Sequence, residues 1–344
     1  MSCSGWNTHS KIVFMKIAIV KLSALGDIIH AMVVLQFIKK FYPEILIDWV
    51  VEEEYKDLLE SNPDINLVHT TNLRRAKKNK SLFMLLNELI KVRKLGPYDM
   101  VIDMQGLIKS AIISKLILSK KTIGFDKESL REGLASLFYS DKFNFDYSSN
   151  IVERNIALIE FAVGVNISKK QILHKNPFLF QSESQLEIKL SSFKKNILLV
   201  PGASHFSKCY HPAKLAELTT LIDANFLVIW GNKKERILAN EIKKISDKVI
   251  ICNQLPLDDL MLLISKIDLV IGPDTGPTHM AWAMNIPSIT LFGPTPGYRN
   301  TYQTMKNRVI ESDSKVNPKK IDKNDTSINN IKVKEILNIS KDLI

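Results

Sequence analysis

The sequence predicts an α/β protein with two halves, each built on a parallel β-sheet covered by helices on both faces. Short apolar runs alternate with helix-length segments through both halves, and this alternation is typical of parallel strands joined by crossover helices. A polar turn follows a strand in each half, at 21–27 and at 272–279. The 344 residues are enough for two domains with full cores. We therefore expect a two-lobed enzyme with its site between the lobes.

The amino half supplies the first predicted sheet. Its apolar runs predict strands at 16–20, 45–51, 67–70, 100–103 and 122–124. The longer segments predict helices at 28–41, 52–60, 81–95, 107–118 and 151–165. The first domain is expected to span 15–168, because the strand beginning near Met15 looks like a natural start and 1–14 reads as an upstream extension or leader.

The carboxyl half repeats the alternation. It predicts strands at 196–200, 226–230, 249–252, 269–272 and 288–292. Helices are predicted at 213–222, 233–245, 257–265 and 275–284. The polar stretch 169–195 is predicted to be a linker and 196–330 the second domain. A terminal helix at 331–344 would tie the lobes together by packing back on the amino-terminal domain.

Composition narrows the class of partner. The net charge of +11 favours a nucleic acid, a membrane surface or a phosphorylated substrate, although a lysine-rich solvated surface would give the same value. Single-strand nucleic-acid binders interleave aromatic residues with basic ones, and the run of basic residues at 74–80 contains no aromatic residue. The cysteines at 3, 209 and 252 form no disulfide framework or metal-ligand cluster, which indicates a reducing compartment. No apolar run reaches the roughly 18 residues of a membrane span.

The turn at 21–27 offers a candidate base. Asp27 follows Gly26 where a strand gives way to a helix, so its carboxylate is expected at the carboxyl edge of the sheet. It could activate an acceptor hydroxyl as a general base, or it could simply cap the helix. The turn lacks the spacing of a P-loop and of Gly-x-Gly-x-x-Gly, which disfavours a dehydrogenase.

The turns of the second half offer candidate anion-binding groups. Asp274 and Thr275 precede a predicted helix, whose free amides favour an anionic ligand. His279 lies one helical turn further on the same face, where it could donate to a phosphate or sit satisfied in the core. Small residues at 201–204 and the cation of Lys208 would suit a diphosphate at the same sheet edge. A single Asp-Thr-Gly argues against an aspartic protease, which needs two such carboxylates.

The basic run at 74–80 has three interpretations. It is most often a solvated face, but it could also hold an acidic acceptor or contact an anionic membrane surface.

Six motifs, in this order, carry a family resemblance from about Met15 to the end of the chain. They are Val-Lys-Leu-Ser-Ala-Leu-Gly-Asp-Ile-Ile-His (20–30), Asp-Trp-Val-Val-Glu-Glu (48–53), Val-Ile-Asp-Met-Gln-Gly-Leu-Ile-Lys-Ser-Ala (101–111), Arg-Glu-Gly-Leu-Ala-Ser-Leu-Phe-Tyr (131–139), Asp-Thr-Gly-Pro-Thr-His (274–279) and Phe-Gly-Pro-Thr (292–295). The sequence resembles the bacterial ADP-heptose:lipopolysaccharide heptosyltransferases. The motifs at 101–111 and 131–139 point to the type that adds the first heptose.

The resemblance implies a GT-B glycosyltransferase with two Rossmann-like domains facing across a cleft. The implied reaction moves L-glycero-D-manno-heptose from ADP-heptose to the Kdo of Kdo2-lipid A, with inversion and without a metal or cofactor. It implies a cytoplasmic enzyme, peripheral on the inner membrane, with no nucleic-acid partner. By position, Asp27 matches the family's base. The implied donor-binding residues are Ser204, Lys208, Glu235, Asp274, Thr275, Gly276 and His279. The implied acceptor-binding residues are Ser23, Gly26, Arg74, Arg75, Gln105 and Arg131.

Three alternatives stay open on the sequence. The first is a heptosyltransferase of a later step, and the second is a sugar-nucleotide epimerase on the same two-lobed scaffold. An epimerase would not need a basic acceptor surface such as Arg74, Arg75 and Arg131. The third is a non-catalytic nucleotide-binding protein, which would form no product from donor and acceptor.

Overall fold

A computed structural model describes residues 15–181 and 189–344, so the predicted extension at 1–14 and the middle of the predicted linker lie outside the described residues. Within those residues, two six-stranded sheets form, and every strand pair is parallel. The predicted α/β class with two Rossmann-like halves is confirmed.

The first sheet has the strand order β3-β2-β1-β4-β5-β6. Its strands are β1 (Lys16–Val20), β2 (Leu46–Glu52), β3 (Leu67–Thr71), β4 (Tyr98–Asp103), β5 (Ser119–Phe125) and β6 (Asp141–Phe143). The helices of this half are α1 (Leu25–Met32), α2 (Val34–Phe41), α3 (Asp57–Glu60), α4 (Leu73–Lys78), α5 (Leu82–Arg93), α6 (Ile108–Leu116), α7 (Ile151–Val163) and α8 (Lys169–Leu173). In the middle of the sheet, Ile19 pairs with Trp49 on one side and Ile102 on the other, and all three are fully buried.

The second sheet repeats this order as β12-β11-β10-β7-β8-β9. Its strands are β7 (Asn196–Leu199), β8 (Asn225–Val228), β9 (Val249–Ile251), β10 (Leu269–Pro273), β11 (Ser288–Phe292) and β12 (Asn307–Glu311). Its helices are α9 (Pro212–Leu221), α10 (Lys233–Ile245), α11 (Leu257–Ser265), α12 (Gly276–Ala283), α13 (Gly297–Asn300) and α14 (Val333–Leu343). The strand order therefore reverses once in each sheet, between β1 and β4 in the first and between β7 and β10 in the second. In such sheets a ligand crevice forms at the point where the strand order reverses.

The prediction for the terminal helix was wrong. Helix α14 packs on α9 and β11 of the second domain, not on the first domain. Val333 and Ile336 are buried in the second domain's core, because the apolar face of α14 covers the helix next to it in space.

The stretch that follows α7 is more than a polar connection. It contains α8, and Ile172, Phe178 and Leu179 are buried. Asn62 Nδ2 donates to the carbonyl of Phe178, and the Phe178 amide donates to the carbonyl of Ala283, so this segment bridges both domains.

The domains also meet directly through α1 and α12, with α3 and α11 beside them. Two glycines permit the close approach of α1 and α12. A Cβ on Gly26 would lie 2.5 Å from Cδ2 of His279, and a Cβ on Gly276 would lie 2.3 Å from Cδ2 of Leu25. These contacts place the starts of the two helices side by side.

Candidate active site

The loops at the two switch points open into one cleft between the domains, with a cavity of about 830 Å³. The first domain contributes the loops after β1 and β4, and the second contributes those after β7 and β10. All the predicted site residues except Arg74 and Arg75 line this cavity, namely Ser23, Gly26, Asp27, Gln105, Arg131, Ser204, Lys208, Glu235, Asp274, Thr275, Gly276 and His279.

Asp27 stands in the first turn of α1, with its side chain exposed to the cleft. Its Oδ2 accepts a hydrogen bond from the amide of Ala24 at 3.3 Å. Asp27 therefore caps the helix from its third position, and the same carboxylate faces the cavity. The base and the cap that the sequence offered as alternatives are compatible in one residue.

The loop after β4 supports the loop that precedes Asp27. Buried Asp103 accepts hydrogen bonds from the amides of Gln105 and Gly106 and from Tyr139, which fixes the loop. Gly106 has φ +68°, and a Cβ there would lie 2.5 Å from Cδ2 of Leu130, so only glycine fits without displacement. Gln105 Oε1 then accepts from the amide of Ser23 at 3.0 Å.

Lys21 is a cleft residue that the sequence reasoning did not single out. It is 3% exposed, and its Nζ donates to the carbonyl of Met104 at 2.9 Å. Burial lowers the pKa of Lys21, while the negative charge of Asp27 opposes that shift. A buried lysine amine therefore lies near the candidate base and is held by the loop after β4.

Asp274 is the centre of a buried polar cluster in the second domain. Its Oδ2 lies 2.8 Å from Lys208 Nζ, and its Oδ1 lies 3.0 Å from His279 Nε2. Thr295 Oγ1 and Asn300 Nδ2 also donate to Oδ2, at 3.1 and 3.4 Å. Burial alone would raise the pKa of Asp274, but the charge of Lys208 and the hydrogen bond to His279 outweigh it and hold the pKa far below its ordinary value. Asp274 therefore fixes Lys208 and His279 at the cavity wall.

The ring of His279 packs against the first domain. Its centroid lies 4.3 Å from that of His30, which is itself 5.4 Å from Trp282. Burial, with His279 beside it, lowers the pKa of His30 well below the ordinary value, so His30 is neutral at pH 7. His279 is therefore buried at the domain interface with Asp274 as its partner, as the core interpretation expects, and its contact with a phosphate stays a prediction.

Glu235 lines the cavity from the first turn of α10 in the second domain. Its Oε2 accepts from the amide of Gly231 and its Oε1 from Nδ2 of Asn232, both at 2.6 Å. A Cβ on Gly202 would lie 2.2 Å from Cγ of Glu235, so the glycine turn after β7 packs directly on this side chain. Ser204 is exposed in the same turn.

The cleft carries more positive than negative charge. Its lining has three carboxylates, Asp27, Glu235 and Asp274, against seven lysines and arginines. The seven are Lys21, Arg131, Arg154, Lys208, Arg299, Lys319 and Lys320. The sequence reasoning named only Arg131 and Lys208, because the others are scattered outside the motifs it treated as chemical.

Arg154 and Arg299 both approach Tyr147 in this lining. The guanidinium carbons lie 5.3 and 4.4 Å from the Tyr147 ring centroid. Arg154 is buried and donates to the carbonyls of Phe145, Asp146 and Ser129, and burial lowers its pKa to about 10. It therefore stays charged at pH 7 and adds to the positive potential of the cleft.

Arg74 and Arg75 lie on α4, outside the cavity lining. Arg74 NH1 contacts Glu54 and donates to the hydroxyl of Tyr55 at 2.8 Å, and Tyr55 does line the cavity. Both arginines are exposed, so an acceptor role for them stays a prediction.

Within residues 15–181 and 189–344, no three His, Cys, Asp or Glu side chains are grouped so that they could hold a metal ion. The same residues contain no helix that is long and apolar enough to span a membrane.

Relatives share this sequence over almost its full length. The chain is 41% identical to "Lipopolysaccharide heptosyltransferase 1" of Campylobacter coli, over 96% of this chain and 99% of that protein. It is 27% identical to the protein of the same name from Escherichia coli K12, over 86% and 93% of the two chains.

Solved structures share the fold. "E. coli heptosyltransferase WaaC with ADP" superposes with a TM-score of 0.78 at 23% identity, covering 96% of this chain and 100% of that one. A family 9 glycosyltransferase from Veillonella parvula gives 0.80 at 18% identity, covering 96% and 97%. Both likenesses extend over the two lobes.

The sequence model of the family described as glycosyltransferase family 9 (heptosyltransferase) matches residues 88–330. These residues include part of the first lobe and all strands of the second. With the Campylobacter relative, this match shows that the chain belongs to glycosyltransferase family 9, the heptosyltransferase family.

Proposed function

We propose that this glycosyltransferase moves L-glycero-D-manno-heptose from ADP-heptose to the Kdo of Kdo2-lipid A, in the first heptose addition of lipopolysaccharide inner-core assembly. The observation that carries the proposal is the meeting, in one cavity, of Asp27 from the first domain with the Lys208–Asp274–His279 cluster from the second. The names of the relatives supply the sugar and the pathway, because proteins 41% and 27% identical are called lipopolysaccharide heptosyltransferase 1.

In the proposed reaction, Asp27 takes the proton of an acceptor hydroxyl as its oxygen bonds to the anomeric carbon. The bond from that carbon to the diphosphate oxygen breaks on the opposite face, and ADP leaves with the electron pair. Attack from the face opposite the leaving group inverts the anomeric centre. Asp27 is suited to this role because its exposed carboxylate faces the cavity.

The donor is assigned to the second domain. Lys208 and the helix start at Thr275 would stabilise the charge that ADP gains as the bond breaks, without a metal. Asp274 would serve the donor site by positioning Lys208 and His279, which its two oxygens contact. Ser204, Gly276 and His279 line the same wall, and Glu235 is placed to hold the adenosine ribose.

The acceptor is assigned to the first domain. Ser23, Gly26, Gln105 and Arg131 line its side of the cavity, and the excess of basic residues suits Kdo carboxylates and lipid A phosphates. With a lipid-linked acceptor, the protein would act in the cytoplasm at the inner-membrane surface. Family membership favours this transfer over an epimerase or a non-catalytic nucleotide-binding protein.

Asp27→Asn tests the proposal. The amide keeps the size of the side chain but cannot take the proton, and a positioned base contributes about 10²–10⁴-fold. We expect that loss in product formation from ADP-heptose and Kdo2-lipid A, measured by mass spectrometry, with ADP affinity near wild type by calorimetry. Asp57→Asn, an exposed first-turn aspartate on α3 outside the cavity, is the matched control. Activity of Asp27→Asn within a few-fold of wild type would leave Asp27 as a cap only.

A further inference from the structure

An exposed apolar helix face lies on the first domain, outside the cleft. On α5, Leu82, Phe83, Leu86 and Ile90 are 69%, 73%, 49% and 55% exposed. At about 100° per residue, these four side chains fall within about 100° of arc on one side of the helix, and the buried Val92 lies outside that arc. We call these four residues the apolar stripe. A contiguous exposed apolar face of this kind marks an interaction surface.

The apolar stripe is surrounded by positive charge. Residues 73–94, which form α4, α5 and their flanks, contain eight basic residues and one acidic residue, a net charge of +7. This one hairpin therefore accounts for most of the chain's net charge of +11. The basic residues are Arg74, Arg75, Lys77, Lys78, Lys80, Lys91, Arg93 and Lys94, and all are exposed.

This combination selects one kind of partner. A second copy of the chain would bring two surfaces of charge +7 together across a symmetric contact, which opposes self-association. A nucleic acid would neutralise the positive charge, but it offers no apolar surface against which the four side chains of the apolar stripe could be buried. A bilayer with anionic lipids supplies both an apolar boundary and negative headgroups.

We propose that α4 and α5 form a membrane-docking element whose apolar stripe inserts at the headgroup–acyl boundary of an anionic lipid bilayer. The basic residues around the stripe contact lipid phosphates. The inference requires neither the identity of the acceptor nor the chemistry of Asp27.

The position of this element links docking to the cleft. Helix α5 packs on α6, and α6 packs on the 3₁₀ turn Gly133–Phe138. Leu134 and Leu137 of that turn are 65% and 72% exposed. Arg131, which lines the cavity, comes two residues before the turn. Docking through α5 therefore holds the acceptor side of the cleft close to the lipid surface.

Vesicle co-sedimentation tests the docking element without any acceptor. The full-length protein is mixed with vesicles of phosphatidylcholine alone, or of phosphatidylcholine with phosphatidylglycerol. We expect binding to the anionic vesicles that weakens as salt is added, because the charge contribution is screened. Phe83→Ser/Leu86→Ser should lower the partition coefficient roughly tenfold or more, because two apolar side chains that insert into the bilayer are lost. Lys77→Glu/Lys78→Glu should lower it and reduce its salt dependence.

The matched control is Ile237→Ser/Ile245→Ser on α10 of the second domain. These side chains are 58% and 59% exposed on a helix that also carries lysines. The control should bind vesicles as the wild type does, and unchanged circular dichroism and melting temperature must show that every variant is folded.

Three outcomes would overturn the inference. They are wild-type protein that ignores anionic vesicles, stripe variants that bind like wild type, and a control pair that loses as much binding as the stripe pair. A dimer that dissociates in the stripe variants, with no vesicle binding, would assign the surface to a second copy instead. Failure of the proposed transfer reaction would look different: Asp27→Asn would keep product formation near wild type, whereas its vesicle binding should equal that of wild type in either case.

Discussion

Replacing Lys208 with methionine removes one partner of the buried ion pair at the cavity wall. Lys208 and Asp274 have side chains 11% and 9% exposed, and their charged atoms are 2.8 Å apart. Methionine keeps most of the volume of the lysine stem and removes the charge. Asp274 is then left buried with hydrogen bonds from His279, Thr295 and Asn300 but no cation at contact distance.

Breaking a buried ion pair by removing one partner typically costs about 3–5 kcal/mol. The remaining hydrogen bonds place this case at the lower end, about 3 kcal/mol, since they still satisfy both carboxylate oxygens. For a domain of this size that corresponds to a fall in melting temperature of roughly 6–12 °C. Donor affinity should fall with it, because the proposed diphosphate contact is lost.

The pH dependence identifies the cause. The folded-state pKa of Asp274 lies below its unfolded value, so its contribution to stability is fully present above about pH 4 and is lost as the pH falls through the folded pKa. Without Lys208 the folded pKa rises. The difference in unfolding free energy between wild type and variant should therefore be largest at pH 7 and should shrink as the pH is lowered below about 4.

Calorimetric melting and ADP titration measure both effects. The matched control is Lys195→Met: its Nζ lies 3.0 Å from Asp268 Oδ1, but Lys195 is 55% exposed, and surface pairs contribute at most about 1 kcal/mol. The double variant Lys208→Met/Asp274→Asn should be less destabilised than the sum of its parts by about 1–3 kcal/mol. A melting shift no larger than that of Lys195→Met, or full additivity, would refute the buried-pair reasoning, and unchanged ADP affinity would place Lys208 outside the donor site.

Three further predictions test the acceptor side and the domain interface. Arg131→Ala should raise the acceptor KM roughly fivefold, as expected for loss of a contact of about 1 kcal/mol. Charge reversal at Arg74 and Arg75 should raise the acceptor KM less, and ADP-heptose binding should be unchanged in both variants. An acceptor KM that stays constant in steady-state kinetics at varied acceptor concentration would contradict this prediction. Gly26→Ala should destabilise the protein by about 1–3 kcal/mol and lower kcat, because its Cβ would lie 2.5 Å from His279; a melting curve identical to wild type would show that the domains separate freely there. Lys175 is buried just after α8, and its Nζ donates to the carbonyl of Trp282 on α12. Burial lowers the pKa of Lys175 to about 7, below its unfolded value near 10.5, so wild-type stability should rise between pH 7 and pH 9 because the folded state releases the proton first. Lys175→Met should lack that rise in pH-dependent denaturant titrations.

The strands and helices with strong apolar periodicity were predictable from the sequence, whereas two polar edge strands and a short basic helix were not. Every predicted strand exists within a few residues, and α10 and α11 have the predicted bounds. The prediction missed β6 and β12, which pair along one side only and carry polar residues, so their sequences lack a continuous apolar run. It missed α4, whose six residues are mostly basic. These segments form because they pack or pair with neighbouring strands or helices. Local sequence propensity does not include such tertiary contacts.

The candidate site was predictable where residues follow a strand and form a motif. Asp27, Lys208, Asp274 and His279 all line one cavity. The sequence did not indicate that Asp274 binds Lys208 across 66 positions, because that pairing depends on the neighbouring strands β7 and β10. Nor did it single out Lys21, although this lysine is the first residue of the turn at 21–27 and a lysine directly after a buried strand is itself a usable signal.

The geometry of the site follows from the contact between α1 and α12 more than from the segment that connects the domains. Asp27 is in the first turn of α1, and Thr275 immediately precedes α12, so the proposed base and the proposed donor loop belong to the two helices that touch. Their approach depends on Gly26 and Gly276, where any Cβ would overlap the opposite domain. A change in lobe orientation that pivots at this contact would therefore keep Asp27 close to the donor loop.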